Sequence, residues 1–425
     1  MATPNLALIP SAYKARVVYS VLPNTGAGDF TFVRSGNATR INKDGLIETV
    51  DSHVPRLNYD IYQGKPKQCP SLLLEPSREN LVTQSENFES GWSLDDATVV
   101  SNSAISPDGT LTATLFKGNT NSSKHTILLN PSISASVPAS LSLFVKAKEL
   151  KYIQIASVVT SGQYVNFDVS KGIVGTVGGN FTNAKIEPLG NGWYRCSASA
   201  TVYNNMYISL VSGLNSGWLE SWAMPNSTDG LYIWGAMLEE GSFVSSYIPT
   251  NGSTETRNAE QCNSAGNSDT FNDSEGVLMV EISALAADST NKVITISDGS
   301  TSNRVQIYFN SSNNIQASVT SGGSGQVAVT SDNNIKLYNK VSFKYKVNDF
   351  ELWVNGYKVA VDTLGAVPTG LQEIDFDNGA GGADFYGKTK QLQYFDSELT
   401  DSQLEYLTSY RSFGDMVESQ NYIIQ

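Results

Sequence analysis

Residues 339–361 read NKVSFKYKVNDFELWVNGYKVAV, and this pattern restricts the fold severely. Apolar and polar residues alternate, which on a strand sends successive side chains to opposite faces. Phe343, Tyr345 and Val347 share one face, Asn348-Asp349 turns the chain, and Leu352 and Val354 then point to the core. Asn355-Gly356 favours a type I′ hairpin turn, because both positions tolerate positive φ. Similar short runs between Gly/Asn/Ser/Asp turns recur at 29–36 (DFTFVRSG), 141–149 (SLSLFVKAK), 152–160 (YIQIASVVT), 291–299 and 303–323. Helical spacing is confined to LTDSQLEYLTSY (399–410), where Thr400 and Gln403 stand at capping-box distance and Leu404 and Leu407 form an apolar side. The expected class is all-β with one short helix near the C-terminus.

A chain of 425 residues is long enough for two or three domains with cores of their own. Only 16% of residues are charged, the net charge is −13, and the cations are scattered singly. That excludes the basic stripe a nucleic-acid partner needs. No run of 18 apolar residues suggests a membrane-spanning helix, and the first 20 residues lack a signal-peptide pattern. Cys69, Cys196 and Cys262 are far apart, as are His53 and His125, so neither a disulfide framework nor a clustered metal or catalytic triad is expected from them.

The segmentation predicts an N-terminal anchoring segment (1–85), a first β-sandwich of jelly-roll type (86–257), a polar linker (258–273), a second sandwich (274–415) and a C-terminal tail (416–425). Resemblance adds to this. DFTFVRSGNATRINKDGLIETVDSHVPRLNYD with CPSLLLEPSRENLVTQSENF resembles a leader block of tailed-bacteriophage fibre and spike proteins. SPDGTLTATLF (106–116), NGWYRCSASATV (191–202) and the closing stretch LYIWGAMLEEGSFVSSYIPT (231–250) are similar to carbohydrate-binding-module-like sandwiches. FKYKVNDFELWVNGYKVAVD and DFYGKTKQLQYFDSELTDSQLEYL are similar to concanavalin A-like and laminin-G-like domains. The resemblance implies a non-enzymatic virion subunit of tail or head, made in the bacterial cytoplasm and displayed on the particle. Its implied partners are other virion proteins, copies of itself (a trimer) and host-surface glycans. The competing readings are a glycan-cleaving depolymerase built on the second sandwich and a bacterial surface lectin.

Sugar recognition needs a flat ring plus directional polar groups. Trp353 and Asn355, on the face opposite Leu352 and Val354, meet that requirement, as do Trp218 and Trp222 in the loop-like SGWLESWAM (216–224). In EIDFD (373–377), period-2 geometry sets Glu373, Asp375 and Asp377 on one face, which resembles the acidic strand of concanavalin-like glucanases. No catalytic residue is assigned there: the shorter terminal Asp departs from that motif. Asp375, Asp377, Asn378 and Asp384 are either solvated turn residues or hard oxygen ligands for Ca²⁺, and no other cofactor is expected. Glu239 and Glu240 are adjacent on a strand, so they point apart and cannot converge on one bond. Strict alternation there sets Tyr232, Trp234 and Ala236 against Ile233, Gly235 and Met237.

Overall fold

The computed structural model describes residues 2–130, 137–157, 162–179, 181–201 and 205–420. The first sandwich consists of two six-stranded antiparallel sheets. The A sheet runs Ala97–Ala104, Ala113–Gly118, Gly230–Glu240, Pro138–Ala147, Trp193–Thr201, Thr182–Gly190. The B sheet runs Ser93–Asp95, His125–Leu129, Met206–Leu210, Tyr152–Ser157, Gln163–Asp168, Ile173–Gly178. Alternate residues close the core: Leu141, Leu143 and Val145 from A face Ile153, Ile155 and Ile208 from B. Burying each such side chain contributes about 1.5–3 kcal/mol.

The second sandwich packs a C sheet on a five-stranded D sheet. C runs Tyr357–Asp362, Asp349–Val354, Asn339–Lys346, Glu275–Ala284, Gly387–Phe395 and continues into Ser71–Leu74 and Arg56–Asn58. D runs Ser324–Ser331, Ile315–Ser321, Arg304–Phe309, Lys292–Ser297, Glu373–Asp375. The 339–361 stretch forms the expected strands, and Asn355 and Gly356 take φ of 52° and 90°. Val347 leaves the Phe343/Tyr345 face, because the strand ends at Lys346 and Val347 enters the exposed turn.

Residues 1–85 do not form a separate segment. Leu6–Leu8 and Ser71–Leu74 both pair with Gly387–Phe395, and Arg56–Asn58 extends that edge. Leu6, Phe30, Phe32, Leu57 and Leu72 lie in the core of the second sandwich. The expected linker also differs from a free connection. Gln261–Asn263 pairs with Phe30–Val33, Ala265 exchanges hydrogen bonds with Ile374, and Cys262, Ala265 and Phe271 are buried. The N-terminal strands thus extend the C sheet, and Phe30–Val33 reaches the edge of the D sheet through Gln261–Asn263 and Ala265, while the first sandwich is inserted in sequence between residues 1–85 and the second sandwich.

Thr400 caps helix Asp401–Thr408 with both capping-box hydrogen bonds. A second helix, Phe413–Ser419, overlaps the expected tail; Ser412 caps it by accepting from Asp415 N. Residues 421–425 of that tail lie outside the described residues.

Candidate functional site

The sites expected from sequence are dispersed. Trp353 does leave the core face, but helix Asp401–Thr408 covers it. It is 6% exposed and packs with Val277, Phe395, Leu399 and Leu404. Its indole Nε1 donates to Glu351 Oε2 (2.9 Å), and the Lys358 ammonium sits 5.2 Å from its ring. Asn355 accepts from Lys340 N and donates to Asn339 Oδ1, which braces the hairpin. Neither is a sugar platform, because the outer face of this sheet is occupied by the chain's own helix.

Trp218 and Trp222 ride a loop laid over the outer face of the B sheet. Gln154 Nε2 donates to Gly217 O (2.9 Å), Asn166 Nδ2 to Ser216 O (2.7 Å), and Leu219 N to Gln154 Oε1 (2.8 Å). Trp222 is half-buried, donates from Nε1 to Leu210 O and meets His125 edge-on. Trp218 is also half-buried, with its Nε1 enclosed and without a hydrogen-bond partner. The two tryptophans belong to one loop and share no surface with Trp353.

The acidic row is closed. Ile374 and Phe376 enter the core as the period requires, while Asp375 and Asp377 are 5% and 3% exposed under the 261–265 strand. Asp375 Oδ1 accepts from Ser264 N, Asp377 Oδ1 from Gly379 N and Oδ2 from Asn263 Nδ2. Asn378 Oδ1 accepts from Ala380 N and Gly382 N, and Asp384 Oδ2 from Tyr386. The oxygens expected to ligate Ca²⁺ are thus largely engaged by the protein. Among the described residues no three His, Cys, Asp or Glu side chains are grouped to hold a metal ion. Asp375 and Asp377 are closed to a saccharide as well, and only Glu373 is half-exposed. Burial, with the charges of Glu373 and Asp377, pushes the Asp375 carboxyl up to about 7 against the pull of Ser264 N.

A concave site lies elsewhere, between the sandwiches. Strand Gly230–Glu240 holds the key to its floor. A bulge at Gly235 (φ 63°) shifts the register against Pro138–Ala147, and a Cβ there would come within 2.8 Å of Phe144. The alternation therefore slips by one residue. Leu231, Ile233, Ala236 and Leu238 face the sandwich core, and Trp234 and Met237 join the cluster on the outer face. Strict alternation cannot foresee this reversal for Ala236 and Met237, because a bulge inserts one residue into the count. Glu239 ends up buried and Glu240 exposed, on opposite sides. Glu239 accepts from Ser245 N (2.8 Å) and Ser245 Oγ (2.6 Å), and burial raises its pKa.

Above this outer face opens a cleft of about 550 Å³. The A sheet supplies Phe144 and, on the next strands, Arg195, Ser197, Ser199 and Lys185. Hairpin Ala38–Ile41/Ile47–Val50 and the 242–247 turn with Phe243 form one side; Tyr338, Lys388 and 284–287 of the second sandwich form the other. Lys388 pairs with Asp60, which also accepts from Tyr338 Oη (2.8 Å). Burial works to raise the Asp60 carboxyl, but Lys388 and Tyr338 outweigh it and hold the group below its usual range. Rings and fixed hydrogen-bonding groups thus converge in one open cleft whose volume is within the usual range for ligand sites. The cleft draws on residues more than 300 positions apart. Its one local signal is Arg195 in WYRCSASATV, facing opposite the core residues Cys196, Ala198 and Ala200.

No family model and no curated protein matches this chain. Among solved structures it is similar to the CBM40 of the Ruminococcus gnavus IT-sialidase, at 13% identity over 35% of this chain and 94% of that one, with a TM-score of 0.29. It is also similar to a putative carbohydrate binding protein from Bacteroides ovatus ATCC 8483 (14% identity, 77% and 83% coverage, TM-score 0.24). A third is mouse laminin α1 chain, domains LG4-5 (12% identity, 65% and 87% coverage, TM-score 0.23). Scores this low assign no function, which has to come from the chain's own surfaces.

Proposed function

We propose that this chain is a non-catalytic glycan-binding protein whose ligand occupies the cleft between the two sandwiches. The observation behind the reading is the combination in that cleft of aromatic rings with preset donors and acceptors. The apolar faces of a pyranose pack on rings, while its hydroxyls need directional partners; Asn58, Asn183, Ser197 and Tyr338 supply them. Phe243 stands half-exposed at the rim with the Arg78 guanidinium 4.9 Å from its ring centre, which fixes the ring without burying it. Calorimetric titration with a panel of oligosaccharides tests the reading. Phe243→Ala is expected to weaken the best binder about tenfold, equivalent to about 1.4 kcal/mol, with the unfolding transition unchanged. Absence of binding across the panel at millimolar ligand would end this reading.

The leader and closing-strand resemblance supports a virion setting, in which oligomeric copies display the cleft to the host envelope. A trimeric native mass and co-sedimentation with phage particles are the expected results. A strictly monomeric protein absent from particles would remove that setting and leave the glycan site to be judged on binding alone.

A further inference from the structure

Building on the glycan reading of the cleft, we infer that the ligand carries a carboxylate, so that the unit bound is an acidic sugar, and that Arg195 and Lys185 receive it.

The charge of the cleft runs against that of the molecule. The chain as a whole is at −13. Yet the cleft is lined by the cations Arg40, Lys67, Lys185, Arg195, Lys336 and Lys388 and by only three carboxylates, Asp60, Glu75 and Glu187. Two of those three are already committed. Asp60 is bound to Lys388, and Glu75 accepts from Arg56 and Ser246 and pairs with Arg257.

Lys388 is held by Asp60 and Arg40 by Glu48, but Arg195 forms no ion pair among the described residues. Nη1 donates to Ser245 O (2.8 Å), Nη2 to Ser142 Oγ (2.9 Å) and weakly to Met237 Sδ (3.8 Å), and Nε is enclosed with no acceptor. A guanidinium has five N–H donors, so this one is under-satisfied. Phe144 supports it from below, 5.3 Å away at the ring centre. Burial pushes its pKa down, and the charges of Glu239 and Glu187 offset that only in part. Glu239 is itself turned onto Ser245, and Glu187, although opposite Arg195 in register, is exposed and forms no ion pair among the described residues. Lys185 stands beside Ser197 on the adjoining strand, exposed and likewise without an ion pair among the described residues.

A planar carboxylate complements a guanidinium fork and a neighbouring ammonium, and a charged hydrogen bond in a partly desolvated cleft is roughly twice as strong as a neutral one. The adjacent Ser197 hydroxyl can serve a ring oxygen of the same unit, and the half-exposed Phe243 at the rim its apolar face. Glu187 then acts as a competitor whose removal improves binding.

The test compares a hexuronic-acid oligosaccharide, its neutral hexose counterpart and a sulfated counterpart, by calorimetry at fixed ionic strength. The acid is expected to bind wild type at least tenfold more tightly than the neutral sugar. Lys185→Ala, a surface change that leaves the fold alone, should reduce that preference about fivefold. Glu187→Gln should raise affinity for the acid two- to fivefold. Arg195→Lys keeps a cation and should abolish most of the preference, because an ammonium cannot reproduce the fork. Equal binding of acidic and neutral sugars, or indifference to Lys185→Ala and Glu187→Gln, overturns the carboxylate inference while the glycan cleft stands. Tighter binding of the sulfated sugar overturns the carboxylate assignment. Absence of binding by all three overturns the glycan reading itself.

Discussion

Glu260→Ala is expected to lower the free energy of unfolding by about 3–5 kcal/mol, the usual cost of leaving buried charges without their partner. Glu260 is 1% exposed and sits between two guanidiniums that are themselves fully buried. Its Oε1 accepts from Arg34 Nη1 (2.8 Å) and Arg56 Nε (2.8 Å), and its Oε2 from Arg56 Nη2 and from Glu75 N (3.0 Å). Arg56 also reaches Glu75, which in turn pairs with Arg257 (3.1 Å). This chain of three cations and two carboxylates joins Phe30–Val33 and Arg56–Asn58 to Glu255–Arg257, the strand that leaves the first sandwich. Removing Glu260 leaves Arg34 with no carboxylate and Arg56 with Glu75 alone. Urea denaturation at pH 7 should show a lower midpoint with little change in slope. A loss below 1 kcal/mol would show that water or relaxation rescues the arginines.

The same cluster has a defined acid sensitivity. Burial works to raise the Glu75 carboxyl, but Arg257, Arg56 and Ser246 overcome it and hold it far below the carboxylate range. A depressed folded pKa stabilises above the unfolded value of about 4.3 and is lost as pH falls below it. The junction is therefore expected to loosen in acid, before the apolar cores do.

What could be read from sequence was what repeats locally. The alternation in 339–361, the Asn355-Gly356 turn and the Thr400/Gln403 cap are signals carried by neighbouring residues, and each appears where its spacing requires. Leu6–Leu8, Ser71–Leu74 and Arg56–Asn58 have only three or four residues each, too few to reveal a period. The first two are placed beside Gly387–Phe395 by a partner more than 300 positions away, and Arg56–Asn58 joins through Ser71–Leu74. The 258–273 segment is polar on average, yet Cys262, Ala265 and Phe271 turn inward, as do Glu260 and Thr270. Trp353 was legible as outward-facing, but the helix that covers it comes some fifty residues later. The cleft had no local pattern, because its charges become informative only when Arg195 is seen to lack the partner that Glu75, Glu260 and Asp60 provide elsewhere.

Asp375 offers the opposite pH response to Glu75, and Asp375→Asn isolates it. Its carboxyl is 5% exposed, lies beside Glu373 and Asp377, and titrates near 7 when folded, against about 3.9 in an unfolded chain. The raised value means that the native state holds a proton which the unfolded state has released. The stability this contributes is complete below pH 4 and is lost as pH rises through 7, at up to about 1.4 kcal/mol per pH unit in that window. The full span is on the order of 4 kcal/mol. Glu373 and Asp384, both raised by burial first and by like charge second, add in the same direction; Tyr386 opposes the shift at Asp384. Asparagine keeps an oxygen for Ser264 N and cannot ionise, so Asp375→Asn should match wild type near pH 4 and exceed it by about 2–4 kcal/mol at pH 8, on the order of the lost titration. Denaturation midpoints for both proteins at pH 4 and pH 8 decide the matter. If the variant gains nothing at pH 8, Asp375 is already solvated and ionised in the native state, and the closed acidic row described above is open to water after all.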